Sequence, residues 1–410
     1  MYVNRVDHVK VSSGMSPEDF RRHYRMDRQT FRFILNRIRS KLQKQSSMAR
    51  NSGLPNGGMT PKQMLGSLLK HLGGSSPQDI EFMYQFHRST IQKNLYRTMK
   101  ILVEEFPIPV FPFNDQSKLE KMAADWRRRS AGGLFNKCVG AFDGYLLRIS
   151  KSCVHKHKVS NPQKYFCRKG FYAVNCQVCC DSHRRITWMS LSHPGACPDV
   201  VAYKQSVMCR AVENGLLPDE FYFIGDAAYP SSNQMLTPFN KPSLKKDVRR
   251  DGYNFYLSQL RIHIECVFGI LVNRFPILQQ QLKCKILENA MLTFHTCAVL
   301  HNILVNRRIR SFNTSPTNTR LTQIPNHQRV TTLNPGDFRE VPEVDETTAD
   351  DICSTIQTNF DVSHTSDNDS CTESDIDNIV NRRDSHVDKI YQAGYVRPKT
   401  TKWQRLTLQL

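Results

Sequence analysis

The apolar positions of the first hundred residues recur every three or four. In SPEDFRRHYRMDRQTFRFILNRIRSKL, Phe31, Ile34, Leu35, Ile38 and Leu42 fall on one side of a helix. Two more helices announce their starts, Thr60 before Pro61 and Ser76 before Pro77 with Asp79 three residues on. The second ends near His87, and Ser89 opens STIQKNLYRTMKILVEEF. Helix, short turn and helix, with Arg88, Lys93, Arg97 and Lys100 at hand, is the pattern of a helix-turn-helix. A helical bundle with a solvated basic face fits the same residues.

From about 137 to 230 the period shortens. KCVGAFDGYLLRI, GFYAVNCQVCCD, RITWMSLS and EFYFIGDAAYP are β-rich runs bounded by Gly, Asp, Ser and His. The first three have hairpin spacing. The fourth follows DVVAYKQSVMCRAVENG, a helical stretch able to cross over to a parallel strand. Helix returns after 255, where Leu257, Leu260, Ile264, Phe268 and Leu271 share a side. The pattern predicts a mixed sheet flanked by helices, α/β in class.

Beyond about 311 the pattern dissolves. Glu340 to Val380 holds twelve acidic residues and no Lys or Arg, a composition expected to be disordered. Residues 311–410 carry 10 Lys and Arg against 15 Asp and Glu, whereas the first 310 carry 47 against 22. A body near +25 argues for a polyanionic partner, nucleic acid before an anionic membrane surface. No run approaches ~20 apolar residues and the N-terminus lacks a signal-peptide core, so the expectation is a soluble intracellular protein. Thirteen scattered cysteines fit reduced thiols. Cys176, Cys179 and Cys180 are one weak candidate for structural zinc, more readily read as small buried hydrophobes. His155 and His157 lie among lysines and read as solvated or phosphate-facing.

Candidate chemistry enters with carboxylates that interrupt apolar runs. FYFIGDAAYP delivers Asp226 at the end of a strand, and Asp143 sits within GAFDGYLLRI beside Gly144. Burying an ionised carboxylate costs several kcal/mol unless it is paired or bound to a cation. Asp199 in HPGACPDVV reads equally as a helix cap, and Glu265 as the ion-pair partner of Arg261 one turn earlier. Asp143 and Asp226 have no basic neighbour in their own strands. With a helix carboxylate they would make an oxygen-rich cage for Mg²⁺ or Mn²⁺.

GAFDGYLLRI, HPGACPDVVAY, FYFIGDAAYP, YNFYLSQLRIHIECVFGILVNRFPIL and CAVLHNIL, in this order, resemble the DDE domain of PIF/Harbinger transposases and Harbinger transposase-derived nucleases. The resemblance covers about residues 135–305. It implies an RNase H-like core, a mixed five-stranded sheet flanked by helices, with Asp143, Asp226 and Glu265 as the catalytic, metal-binding triad. Asp199, at the acid of the family's Pro-Gly…Asp block, is implied as a fourth metal ligand. Arg261 and Asn254 match supporting positions. Tyr145 stands where the family often has Thr or Ser, and Val272 where it often has Lys, which weakens expected DNA contact near Val272.

The division expected is a helical, helix-turn-helix-like DNA-binding region over 1–125, a DDE nuclease domain over 135–305 and a disordered acidic tail over 311–410. The expected function is a metal-dependent DNA endonuclease working with two Mg²⁺ or Mn²⁺ ions, with strand transfer as a further step. A domesticated, non-cleaving DNA-binding protein is the alternative. An RNA-binding module is weaker, because the stacking motifs of the common RNA folds are missing. The resemblance also implies a nuclear location, with the cytoplasm as a second, a Myb/SANT-like partner protein and a homo-oligomer, and no membrane.

Overall fold

A computed structural model describes residues 14–50, 58–155, 159–313 and 373–397. Its first helices form where the caps say. Ser16 caps α1 (Pro17–Tyr24), and Arg25 closes it in the left-handed region at φ 60°. After α2 (Arg28–Arg50), Thr60 and Ser76 each build a reciprocal capping box, on Gln63 for α3 (Pro61–Leu72) and on Asp79 for α4 (Pro77–Tyr84). Left-handed Gln85, Phe86 and His87 connect α4 to α5 (Arg88–Glu105), whose first turn His87 caps, one residue before the expected start. Leu65, Leu68, Ile80, Tyr84, Ile91 and Leu95 fill the space between these helices. Arg88, Lys93 and Lys100 lie on the open side of α5, but Arg97 is turned away, donating to the carbonyls of Lys41 and Leu42 on α2.

Five strands form one sheet in the order β3-β2-β1-β4-β5: β1 (Cys138–Arg148), β2 (Ala173–Cys180), β3 (Ile186–Pro194), β4 (Tyr222–Ile224) and β5 (Met235–Leu236). β1, β2 and β3 are antiparallel neighbours, and β4 runs parallel to β1, as the hairpin and crossover spacings predict. Two-residue β5, parallel to β4, is too short to show in the sequence pattern. Between β1 and β2 lies α7 (Lys151–His155), and from β3 the chain crosses to β4 through α8 (Asp199–Lys204) and α9 (Val207–Glu213). Helices α10 (Lys241–Lys246), α11 (Arg249–Arg274) and α12 (Leu287–Asn313) follow.

Strand alternation sends side chains to both sheet faces. Cys138, Ala141, Leu147, Tyr222 and Ile224 face a large apolar cluster that includes α11, α12 and the N-terminal helices. Val139, Phe142, Phe221 and Phe223 face a second cluster with Tyr203 and Met208 of the crossover and with Leu119 and Ala123 of α6 (Gln116–Arg127). Burying each such side chain contributes roughly 1.5–3 kcal/mol, enough for four buried residues, Phe221–Ile224, to hold a strand end that delivers a charge.

Because the first cluster runs unbroken from α1 to α12, a boundary near 125–135 separates nothing physically. Met1–Pro316 and Ile379–Pro398 form one compact unit. The second unit, Thr317–Asn378 and Lys399–Leu410, is described only over residues 373–378.

The tail expectation needs correcting where the chain is described. Glu373–Gln392 is a helix, α13, and Val387 and Ile390 are buried to 1% exposure. Polar contacts supply what its composition lacks. Arg383 stacks over Phe239 at 3.6 Å, His386 meets the Tyr222 hydroxyl at 3.1 Å, and Arg249 pairs with Asp388 at 2.7 Å. The acidic stretch before it, 314–372, and residues 398–410 lie outside the described residues.

The membrane expectation also meets a difference. Among the described residues α11 is long and apolar enough to cross a bilayer, at a mean hydropathy of 1.3 in its most apolar window. The same helix buries Leu257, Leu260, Ile264, Val267 and Leu271 against the domain's own core.

Candidate active site

The parallel register of β1 and β4 sets Ala141 beside Ile224. Two residues further along each chain stand Asp143, still within β1 and on the face that α11 covers, and Asp226, just past the end of β4 and near enough for its charge to act on Asp143. Each carboxylate takes one local N–H: Gly144 donates to Asp143 Oδ1 at 2.8 Å, and Ala228 to Asp226 Oδ1 at 2.9 Å. Among the described residues neither carboxylate has a basic side chain within ion-pair distance. Burial raises the Asp143 carboxyl, with the Asp226 and Asp199 charges adding to it, while the Gly144 N–H and the Arg261 charge oppose; it is pushed up to about 7.

Glu265 is on α11, four residues after Arg261, and its carboxylate meets that guanidinium at 3.4 Å. The Arg261 side chain is 17% exposed and that of Glu265 52%. Arg261 therefore serves two acids, through its charge on Asp143 and its contact with Glu265, and its buried Nε has no hydrogen-bond partner.

Asp199 approaches from the other side. It is the first residue of α8, behind Pro198, and does not cap the helix with its side chain. Its Oδ1 accepts instead from Asn175 Nδ2 at 2.9 Å and Gln177 Nε2 at 2.7 Å, both on buried β2. Gln177 Nε2 also donates to Asn175 Oδ1 at 2.8 Å, Asn175 Nδ2 to the Cys197 carbonyl at 2.9 Å, and the Tyr229 hydroxyl to Gln177 Oε1. Gly144 opens the notch that admits Asp199: a Cβ there would run into Asp199 Oδ1 and lie 3.0 Å from Gln177 Nε2. Tyr229 links the two faces. Burial first, then the charges of Asp199, Asp143 and Asp226, hold its phenol well above the ordinary range.

The four expected acids thus fall into three settings. Asp143 and Asp226 come together, Asp199 is held from the opposite face by neutral amides, and Glu265 is held by Arg261. Among the described residues no three His, Cys, Asp or Glu side chains gather in a group that could hold a metal ion. Arg261 is common to two of these settings, since its charge reaches Asp143 while its guanidinium meets Glu265. Asn175, Gln177 and Tyr229 were not foreseen. Their signal was two polar residues, two apart, in the apolar run AVNCQVCC.

The other candidates resolve simply. Cys176 and Cys180 face one sheet side and Cys179 the other, and burial raises all three thiols, so they are buried hydrophobes and no zinc set. Asn254 clamps the Phe239 backbone through both its amide atoms. Tyr145 is a core residue, stacked on Phe294 at 5.6 Å with its hydroxyl on the Leu278 carbonyl. His155 meets the Tyr172 hydroxyl, and His157 lies outside the described residues.

This arrangement, an acid within the central strand, a second beside it after a parallel strand and a third on a later helix, can be set against known proteins. Residues 142–302 match the DDE superfamily endonuclease family. Over 157 residues the chain is 29% identical to "Putative nuclease HARBI1" of Bos taurus and of Rattus norvegicus, and 27% identical to that of Homo sapiens. Each match covers 37% of this chain and 44% of the relative, so the chain spans less than half the length of the curated relatives it matches. No solved structure matches. These likenesses support a nuclease domain of transposase descent over this part of the chain. DDE superfamily endonucleases generally use divalent metals. The donors fit such an ion, since Asp143 and Asp226 offer two hard carboxylates whose charges act on one another.

Proposed function

We propose that the chain is a metal-dependent DNA endonuclease that hydrolyses phosphodiester bonds with Asp143, Asp226 and Glu265. The observation that carries this reading is the pairing of Asp143 and Asp226 at the active end of the sheet, with the Asp143 carboxyl pushed up to about 7 by burial first and by the neighbouring Asp226 and Asp199 charges after it. Asp143 and Asp226 would hold Mg²⁺ or Mn²⁺, with Glu265 joining from α11 once released from Arg261. A bound divalent ion supplies an acidic water as nucleophile and neutralises the departing 3′ oxygen. The Asn175–Gln177–Asp199 network keeps the opposite face of β1 fixed, so that Asp143 is presented from a rigid strand. Asp199 contributes its charge and its place in that network rather than a free cage corner.

Helices α4 and α5 suit DNA contact through the exposed Arg88, Ser89, Thr90 and Lys93 at the start of α5. The nucleus is the proposed location, a Myb/SANT-like protein and a second copy the proposed partners, and strand transfer a proposed extension of cleavage. One observation favours the second reading, a DNA-binding protein that no longer cuts: Arg261 already serves as a counter-charge to Asp143 and Glu265. Cleavage of a labelled duplex in Mg²⁺ or Mn²⁺ separates the two. The nuclease reading expects Asp226→Asn and Glu265→Gln each to lose on the order of 10³-fold in rate, about 4 kcal/mol of transition-state stabilisation. A folded wild-type chain that binds DNA and leaves it intact in both metals, with or without terminal-repeat ends and a partner, decides for the binding protein.

A further inference from the structure

The connection from β1 to β2 has a use that the carboxylates do not explain. Between Gly144 and Cys180 the sequence holds seven Lys and Arg and no Asp or Glu. Its described end is a small hairpin. Phe166 and Tyr172 bridge as antiparallel partners, Cys167 N–H donates to the Phe171 carbonyl and Gly170 N–H to the Cys167 carbonyl, each at 2.9 Å. Gly170 turns the tip at φ 80° with open space around it. Arg168, Lys169 and Gly170 are all exposed, whereas Cys167 is buried at 2% and anchors the base.

Aromatic rings are interleaved with these cations. Phe166 is 46% exposed, an unusual cost for a phenylalanine beside lysine and arginine, and its ring is braced edge-on by Tyr172 at 5.2 Å. Tyr172 is fixed in turn by its hydroxyl on His155 Nε2 at 3.3 Å. Arg148 stacks over Phe171 at 4.4 Å.

The hairpin stands on the C-terminal side of Asp143 along β1. Ile149 N–H donates to the Tyr172 carbonyl at 2.9 Å, placing its base six residues, roughly 20 Å, beyond Asp143. On the Asp199 side, Ala196 N–H donates to the Lys164 carbonyl at 2.9 Å.

We propose that the Phe166–Tyr172 hairpin holds the nucleic acid beside the scissile bond, with Arg168 and Lys169 on phosphates and the Phe166 ring stacked on an unpaired base. Exposed cations at a tip that lacks carboxylates match a phosphate backbone, and a braced, half-exposed ring offers a face that any base can use. The assignment rests on the nuclease reading for its substrate.

Binding of labelled single-stranded and duplex oligonucleotides to the full chain tests it, by fluorescence anisotropy in chelator across 50–200 mM salt. Arg168→Ala with Lys169→Ala should flatten the log–log salt slope by about 1.4 on single strand and about 1.8 on duplex. Phe166→Ala should weaken single-strand binding roughly 5- to 100-fold while changing duplex affinity less than about twofold. All three side chains are exposed, and Phe166→Leu, which keeps apolar bulk but not the ring's face, should lose nearly as much as Phe166→Ala. Unchanged slopes together with unchanged single-strand affinity overturn the proposal. A wild type that cleaves while the variants bind like it removes the hairpin assignment and leaves the nuclease reading. A wild type that never cleaves while the variants lose affinity does the reverse.

Discussion

Asp143 and Asp199 approach the same Asp143–Gly144 step from opposite faces of β1, and the fold treats them in opposite ways. Asp199 is met by two amide N–H groups, themselves bonded onward to Asn175, Cys197 and Tyr229. Asp143 has one N–H, an adjacent acid and a shared arginine, and its carboxyl is pushed up to about 7. One face is satisfied before any ligand comes, and on the other, two acids face one another with a single shared arginine. A satisfied network fixes geometry, whereas acids that face one another favour a cation, and the strand between them couples the two.

Breaking the satisfied face should have the largest effect on stability. Gln177→Leu takes one of its two amide donors from Asp199 Oδ1, the Gln177 donor from Asn175 Oδ1 and the acceptor from the Tyr229 hydroxyl, and should cost about 2–4 kcal/mol in urea unfolding. A loss under about 0.5 kcal/mol would show that the network carries no weight.

Relieving the frustrated face should do the opposite, and only in one pH range. An aspartate at about 7 when folded and near 3.9 when unfolded makes the folded state hold more protons between those values, so stability falls as pH rises from about 4 to about 7. Asp143→Asn without metal should therefore raise stability by about 2 kcal/mol at pH 8 and leave it unchanged near pH 3.5. Melting curves at the two values check this, and equal shifts at both would contradict it.

The smallest effect concerns Arg261. Its charge competes with any cation brought to Asp143, so Arg261→Gln should tighten Mn²⁺ binding by about fivefold, near 1 kcal/mol, while weakening the hold on Glu265. Weaker Mn²⁺ binding in the variant would make Arg261 a supporter of the site instead.

Asp143 and Asp226 stood out in the sequence because a charge inside an apolar strand is costly and local, and the spacing before the second allowed a crossover to a parallel strand. The ion pair of Glu265 with Arg261 was legible as one helical turn. What the spacing could not show was which reading would hold, since a triad ligand and an ion pair use the same side chain. Asp199 shows the limit more sharply. Its local signal was a helix cap, and its partners Asn175 and Gln177 lie more than twenty residues away on β2. The C-terminal helix was hidden for a similar reason. Among its residues whose side chains are described, Val387 and Ile390 are the buried apolar ones, and its contacts run to Phe239, Tyr222 and Arg249, far off in sequence.

Calorimetric titration of Mn²⁺ into the metal-free full chain at pH 7, in buffers of different ionisation heat, tests the central claim most directly. The account predicts saturable binding that releases about half a proton from Asp143, and that disappears in Asp143→Asn with Asp226→Asn while the fold persists. The same binding and proton release in that double variant would contradict it, and place any metal elsewhere on the chain.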